Sequence, residues 1–282
     1  MQRTIMITGA TSGLGYAMAD ALAGRYALIL TARQVEKGRQ VLHELRSRHP
    51  ETVIDLVSLD LASFVSIDAC VRKLEAGYSQ IDVLFNNAGL FMDHQQKTAE
   101  GFEMTLGVNH VGPAYLTWRL LPLIRQGNES QIIQMCSRAA LAGRYRDRPD
   151  LFENHPHGFR AYAASKLMQL RMTQYWSTEF AAEGITVNAV HPGVVATGIW
   201  RGDSWLMRYL ASKSNRYLAA DEAARSGLYL IEQPAMRRVS GRFFEKDGCE
   251  IRLRAALRDP ARAGSLAGLT RSAILAKGGI LP

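Results

Sequence analysis

The sequence predicts an α/β protein built on a doubly wound parallel sheet, and three observations point there. Seven short, apolar, β-rich runs alternate with longer segments of helical spacing. Runs such as Ala27-Leu28-Ile29-Leu30 and Ile185-Thr186-Val187 are nearly continuous in apolar character, as strands covered on both faces are. A glycine-rich turn joins the first run to the first helical segment.

In chain order the predicted strands are 3–8, 26–31, 53–58, 81–86, 131–136, 185–190 and 242–244. Between them, Ala17 to Leu22, Val41 to Leu45, Val65 to Leu74 and Tyr162 to Ala182 place apolar residues at helical intervals. Parallel strands joined by helices take right-handed crossovers, and ligands bind beyond the carboxyl ends of such strands. Two stretches interrupt the alternation: 138–160, rich in Arg, Pro, His and Gly, and 194–216, which carries two of the four tryptophans. Irregular segments of that length at strand ends are usually functional loops or lids. No break in composition marks a second domain. Residues 1–250 form one domain, and 251–282 reads as a helical extension ending in a frayed tail, Lys277 to Pro282.

Composition narrows the class. Of 282 residues, 47% are hydrophobic and 21% charged, which supports a large core and excludes disorder. Cys70, Cys136 and Cys249 are widely spaced, with no Cys/His cluster that would mark a metal site, and fit free thiols in a reducing cytoplasm. No signal peptide precedes the first strand, and no apolar run approaches the ~20 residues that cross a bilayer, so a soluble, cytoplasmic protein is expected. The formal charge of +8 is compatible with nucleic acid, an anionic membrane surface or a phosphorylated ligand. It is spread along the chain, densest at Arg237-Arg238 with Arg242 and at Arg252, Arg254 and Arg258, without a nucleic-acid-binding motif. The expected partner is therefore a small molecule rather than a nucleic acid. Peripheral membrane contact through the basic surface stays open.

The first strand runs into Thr8-Gly9-Ala10-Thr11-Ser12-Gly13-Leu14-Gly15. Gly9 suits the tight turn, Gly13 the approach of backbone to a pyrophosphate, and Gly15 the packing of helix on sheet. The free N–H groups of the helix start then favour an anion. The second strand ends Leu30-Thr31-Ala32-Arg33, without the carboxylate that would bind a ribose 2′-hydroxyl. Arg33 offers a planar, permanently charged fork for a 2′-phosphate, and Lys37 adds a second charge, so the expected cofactor is NADP(H). Asp60-Leu61 follows the third strand. A carboxylate there either accepts a hydrogen bond from an adenine amino group or caps the next helix.

Four motifs occur in order: the glycine loop, Asn86-Asn87-Ala88-Gly89, Tyr162-Ala163-Ala164-Ser165-Lys166 and Pro192-Gly193. Together they resemble the classical short-chain dehydrogenase/reductase family over about residues 2–250. Gly107-Val108-Asn109-His110-Val111-Gly112, His191-Pro192-Gly193-Val194-Val195 and Val239-Ser240-Gly241-Arg242-Phe243-Phe244 resemble its retinol dehydrogenase-like branch. The resemblance implies a Rossmann-type fold with a substrate lid at about 194–216. It implies hydride exchange between a nicotinamide and a carbonyl or alcohol, and pairing into a dimer or tetramer through the long catalytic helix.

The chemistry of that reaction fits the residues. An alkoxide formed from a carbonyl must be protonated, and the reverse reaction needs the alcohol proton removed. A tyrosine does both only with its pKa lowered towards neutrality. Tyr162 and Lys166, four apart on a predicted helix, share a face, and a protonated lysine would stabilise the phenolate. Ser137, at the end of the fifth strand, suits an oxyanion-hole role, with Cys136 standing where the family usually has another serine. By resemblance, Lys166 also binds the nicotinamide ribose, Asn109 relays protons, and Asn87, Ala88 and Gly89 contact the adenosine ribose. Pro192, Gly193, Val195 and Thr197 lie by the nicotinamide. The aromatic and aliphatic content of Gly198 to Leu210 suggests a bulky apolar or aromatic substrate, with Phe91, Met92 and Tyr145 as the other wall. The competing reading is a catalytically silent NADP(H) sensor or scaffold, against which the retention of all four catalytic positions stands.

Overall fold

The computed structural model describes residues 2–193, 200–201 and 219–281. The sheet strands are β1 (Thr4–Ile7), β2 (Ala27–Ala32), β3 (Ile54–Ser58), β4 (Val83–Asn86), β6 (Gln131–Met135), β7 (Thr186–Val190) and β9 (Phe243–Phe244). All seven were expected from the sequence; six are trimmed by one or two residues and β2 is shifted by one. They lie in the order β3-β2-β1-β4-β6-β7-β9 and every neighbour is parallel. A short parallel pair, β5 (Phe91–Met92) with β8 (Trp200–Arg201), stands apart. Chain order reverses direction at β1, which pairs with β2 on one side and β4 on the other. The ends of these two central strands therefore border a crevice.

Strand alternation assigns two cores. Ile5, Ile7, Leu28, Leu30, Val83 and Phe85 face α1 (Gly13–Leu22) and α2 (Val35–Arg48). Met6, Ile29, Leu84 and Ile132, one residue out of phase, face α3 (Phe64–Gly77) and the helices that follow it. On that side a short α4 (Met104–Leu106) runs through a π-helical turn, Gly107–Val111, into α5 (Gly112–Arg125). The sequence pattern predicts no helix here, because the apolar residues of α5 surround the helix rather than striping it. The central helix α6 (Phe159–Glu179) is buried at every position from Ala161 to Thr173. Trp118 of α5 meets Trp176 of α6 edge to face, ring centroids 5.7 Å apart. On the other side, α7 (Ala220–Glu232) completes the layer with α1.

The carboxyl extension is α8 (Pro260–Ala276), begun by Asp259, whose carboxylate accepts from the backbone N–H groups of Ala261 and Arg262. Leu266, Ala267 and Ile274 sink into the core shared by α5 and α6. Lying along α6, α8 covers part of the helix through which the family resemblance implies pairing. Arg271 reaches both the Trp118 ring and Glu179. The tail is docked rather than frayed: Lys277 pairs with Glu153 at 2.9 Å, and the Ile280 N–H donates to the Tyr115 hydroxyl at 3.1 Å. A left-handed Gly278 makes that return possible.

Candidate active site

The crevice between β1 and β4 is an open cleft of about 240 Å³ at the carboxyl ends of the strands. Gly9, Thr11, Ser12, Gly13, Leu14 and Gly15 line one wall, Asn87, Ala88, Gly89, Val108 and Pro192 another, and Arg33, Asp60 and Leu61 the far end. Lys37 lies exposed on the first turn of α2 and is not among the lining residues. Gly193 follows Pro192 with a left-handed φ. Val195, Thr197 and most of the expected lid, 194–216, lie outside the described residues.

The glycine loop keeps its anion-binding groups free. Ser12 is the N-cap of α1 but makes no capping hydrogen bond, and the first turn holds no carboxylate. Backbone donors and the positive end of the helix dipole are left for a ligand. Gly15 permits this geometry: a Cβ there would collide with the Gly9 carbonyl and sit 2.6 Å from Asn87 Nδ2. Thr8 and Asn87 tie the loop to the end of β4. The N–H groups of Asn87 and Ala88 both donate to Thr8 Oγ1 at 2.9 Å, and Asn87 Nδ2 donates to the Thr8 carbonyl at 2.8 Å. Asp60 accepts from the Ala62 N–H at 2.9 Å, and the N-cap of α3 is Ser63. Of the two roles left open for Asp60, helix capping therefore falls away, and its position in the cleft remains. An uncapped helix start, a backbone cradle and a basic end fit a phosphorylated dinucleotide.

Beyond the cleft the expected catalytic positions converge from three elements. Ser137, two residues past β6, caps a 3₁₀ turn at Arg138–Ala142 and accepts from the Ala139 N–H at 3.2 Å. It also hydrogen-bonds Tyr162. That turn lies tight on α6, because a side chain at Gly143 would collide with the Ala163 carbonyl. Cys136 is buried behind it, its thiol donating to the Lys166 carbonyl at 3.3 Å, so the departure from the family serine pins β6 to α6. Asn109 sits in the π turn. Its amide bonds both backbone groups of Leu90, accepting at 2.8 Å and donating at 2.9 Å, and donates to Ser165 Oγ at 3.1 Å. Ser165 in turn donates to the Tyr162 carbonyl at 2.7 Å. Asn109 is thus a strut between the β4 end and α6, with both amide hydrogens used. Gly89 is the point of closest approach: a Cβ there would stand 3.2 Å from Asn109 Oδ1 and 3.7 Å from Lys166 Nζ.

The electrostatics differ from the sequence expectation in one respect. Burial pushes the Tyr162 phenol up to about 12, with the Ser137 hydrogen bond pulling down. The Lys166 ammonium is held by two oxygens of β6 and α6. It lies 5.7 Å from the Tyr162 ring centroid and donates to the Met135 carbonyl and to Gln169 Oε1, each at 2.8 Å. Burial lowers Lys166 to about 8. Residue spacing put the pair on one face and could not set the direction of a flexible four-carbon chain. Two positions were missed. Ser165, inside the Tyr-x3-Lys motif, could have been found from that motif, and Gln169 only as a polar residue one turn beyond Lys166.

The three residues expected to wall an apolar pocket occupy different settings. Phe91 and Met92 are buried in β5, and the Phe91 ring meets Tyr162 edge-on at 6.0 Å. Tyr145 instead lies under the Arg171 guanidinium, 4.8 Å from its ring centroid. Among the described residues no helix is long and apolar enough to cross a membrane.

Fold and site together define a Rossmann-type dinucleotide-binding protein. A family profile described as short chain dehydrogenase matches residues 3–204. Retinol dehydrogenase 12 of Mus musculus is 31% identical over 243 residues, covering 86% of this chain and 77% of its own. Retinol dehydrogenase 13 of Homo sapiens is 33% identical over 252 residues, covering 86% and 76%. The crystal structure of an uncharacterised protein from Mycobacterium paratuberculosis matches with a TM-score of 0.76 at 28% identity, over 100% of this chain and 95% of its own. A short-chain dehydrogenase from Shigella flexneri, solved complexed with NADP, matches in fold with a TM-score of 0.70 at 24% identity, over 87% and 97%. The chain belongs to the short-chain dehydrogenase family, in its retinol dehydrogenase-like branch.

Proposed function

We propose that this oxidoreductase is NADP(H)-dependent and interconverts a carbonyl and an alcohol on a bulky apolar or aromatic substrate. The observation that carries the reading is the convergence of Ser137, Tyr162 and Lys166 beside a cleft whose far end holds Arg33 and no ribose-binding carboxylate from β2. The glycine loop and the free start of α1 would hold the pyrophosphate, Arg33 the 2′-phosphate, and Asn87 to Gly89 the adenosine side. The dinucleotide supplies or takes up a hydride at its nicotinamide.

The chain's own groups handle the proton. With its phenol held near 12, Tyr162 is protonated at neutral pH and acts as the acid towards a developing alkoxide. Ser137 stabilises the same oxygen and orients the phenol. For alcohol oxidation Tyr162 must give up its proton first, which the Lys166 charge and the Ser137 hydrogen bond both assist. Phe91 and Met92 supply apolar contact next to Tyr162, and the names of the retinol dehydrogenase relatives support a large apolar alcohol. Three free cysteines, two of them buried, support a reducing cytoplasmic location.

The test is oxidation of NADPH and NADH by the purified protein against aldehydes, quinones and aromatic ketones. NADPH-dependent turnover is expected. Tyr162→Phe should lower kcat by about 10²–10⁴ while NADPH affinity stays within a few fold. Full activity in that variant would sink the mechanism.

A further inference from the structure

Lys166 is an ammonium with 2% exposure, and no carboxylate acts on it among the described residues. The titratable groups that face it are few. On β6 the Cys136 thiol is pushed by burial up to about 11, and beyond β7 burial depresses His191 to about 4, so both are neutral at pH 7. On α6 itself the Tyr162 phenol is also neutral. A buried charge without a counter-charge is costly unless dipoles replace its water. Two do: the Met135 carbonyl at the end of β6 and the Gln169 side-chain carbonyl, each 2.8 Å from Nζ. Gln169 is itself 2% exposed, and its Nε2 has no hydrogen-bond partner. The side chain thus leaves its own donor unpaired while its oxygen faces the ammonium. An ammonium has three donors, so these two contacts leave one for a ligand. Gly89, 3.7 Å from Nζ at its would-be Cβ, marks where the cleft opens towards Lys166.

We propose that Gln169 is a positioning residue that, with the Met135 carbonyl, keeps the Lys166 ammonium charged and sets its third donor for the cofactor ribose. A carboxamide is suited to this task. It solvates the cation through its dipole without adding a negative charge that would cancel the cation's field at Tyr162. The inference rests on the dinucleotide reading above but needs no turnover to be tested.

The experiment is fluorescence titration of NADPH from about pH 6 to about pH 10, with melting curves on the same samples. It compares the wild type with Gln169→Met, Gln169→Glu and Lys166→Met. Wild-type affinity should weaken at alkaline pH as Lys166 loses its proton, and Lys166→Met should lack that limb. Losing the acceptor in Gln169→Met should move the limb down by about one pH unit. The carboxylate of Gln169→Glu, equal in size, should move it up by a similar amount. Opposite shifts are not produced by a role in packing alone. If Gln169→Met fails to fold, the upward shift in Gln169→Glu still decides the matter. A common limb in the wild type and the foldable Gln169 variants would overturn the proposal, as would a limb that persists in Lys166→Met. No NADPH binding by the wild type at any pH would defeat the dinucleotide reading itself, and this inference with it.

Discussion

The glycine loop and the catalytic helix treat polar groups in opposite ways. At the loop, the N–H groups of Thr8, Gly9 and Ala10 are taken by Phe85 and Thr31, while the start of α1 is left open, with Ser12 at the N-cap without capping. At α6, the polar side chains around Tyr162 are buried and tied to other elements: Asn109 with Leu90 and Ser165, Ser165 with the Tyr162 carbonyl, Lys166 with Met135 and Gln169, while Gln169 Nε2 stays without a partner. On the proposed function, the first region would bind by leaving a helix end open to an anion. The second holds a reactive geometry by tying distant elements together, so that proton-transfer groups keep their places. Binding is therefore encoded mainly in backbone, and reactivity in side-chain contacts of long sequence separation.

Substitutions should separate the two regions. The largest effect is expected at Gly15→Val, where the new side chain collides with backbone of the loop itself. A loss of about 4 kcal/mol, roughly 1000-fold in dinucleotide affinity, should appear by calorimetry. An unaltered Kd would mean that the loop does not hold the cofactor. Arg33→Ser removes one charged fork and leaves the loop intact. NADPH affinity should fall about 10- to 100-fold while NADH affinity barely moves, and equal losses for both would remove Arg33 from the 2′-phosphate site.

On the catalytic side, the π turn is buttressed from outside the site. His110, beside Asn109, bonds Thr270 of α8 at 2.9 Å, and Thr270 gives its own proton to the Leu266 carbonyl at 2.7 Å. His110 Nε2 is therefore the donor. Thr270→Val leaves that donor buried and unpaired, and urea unfolding should record about 1–3 kcal/mol lost, with Thr270→Ser close to wild type. The same helix turn also bears on pH dependence. Burial depresses His110 from its ordinary 6.5 to about 3. A folded state that resists protonation binds fewer protons than the unfolded chain. Its contribution is complete above about pH 6.5 and is lost as pH falls towards the folded value. His110→Asn should flatten the loss of stability over that interval, and an unchanged slope would assign it to other groups.

Much of this was legible in the sequence. Seven strands, the glycine loop and the Tyr162–Lys166 spacing come from short-range patterns, since apolar periodicity reports the buried face of each element and a phosphate cradle needs only consecutive backbone. The helix α5 was not legible, because a segment buried all round carries no stripe. Asp60 looked equally like a cap and a ligand contact, and only the placement of Ser63 at the start of α3 separated them. The tail looked free because its anchors, Glu153 and Tyr115, are far away in the chain.

The sequence by itself determined the class of fold, the phosphate-binding turn and the types of residue available for proton transfer. Tertiary structure decided which of them meet. It brought Asn109 to Ser165 across 56 positions, laid α8 on α6, and turned the Lys166 ammonium to Met135 and Gln169. The reason is physical. Local propensity acts over a few residues, whereas the direction and charge of a buried side chain are set by whichever dipoles the packing of distant elements places around it.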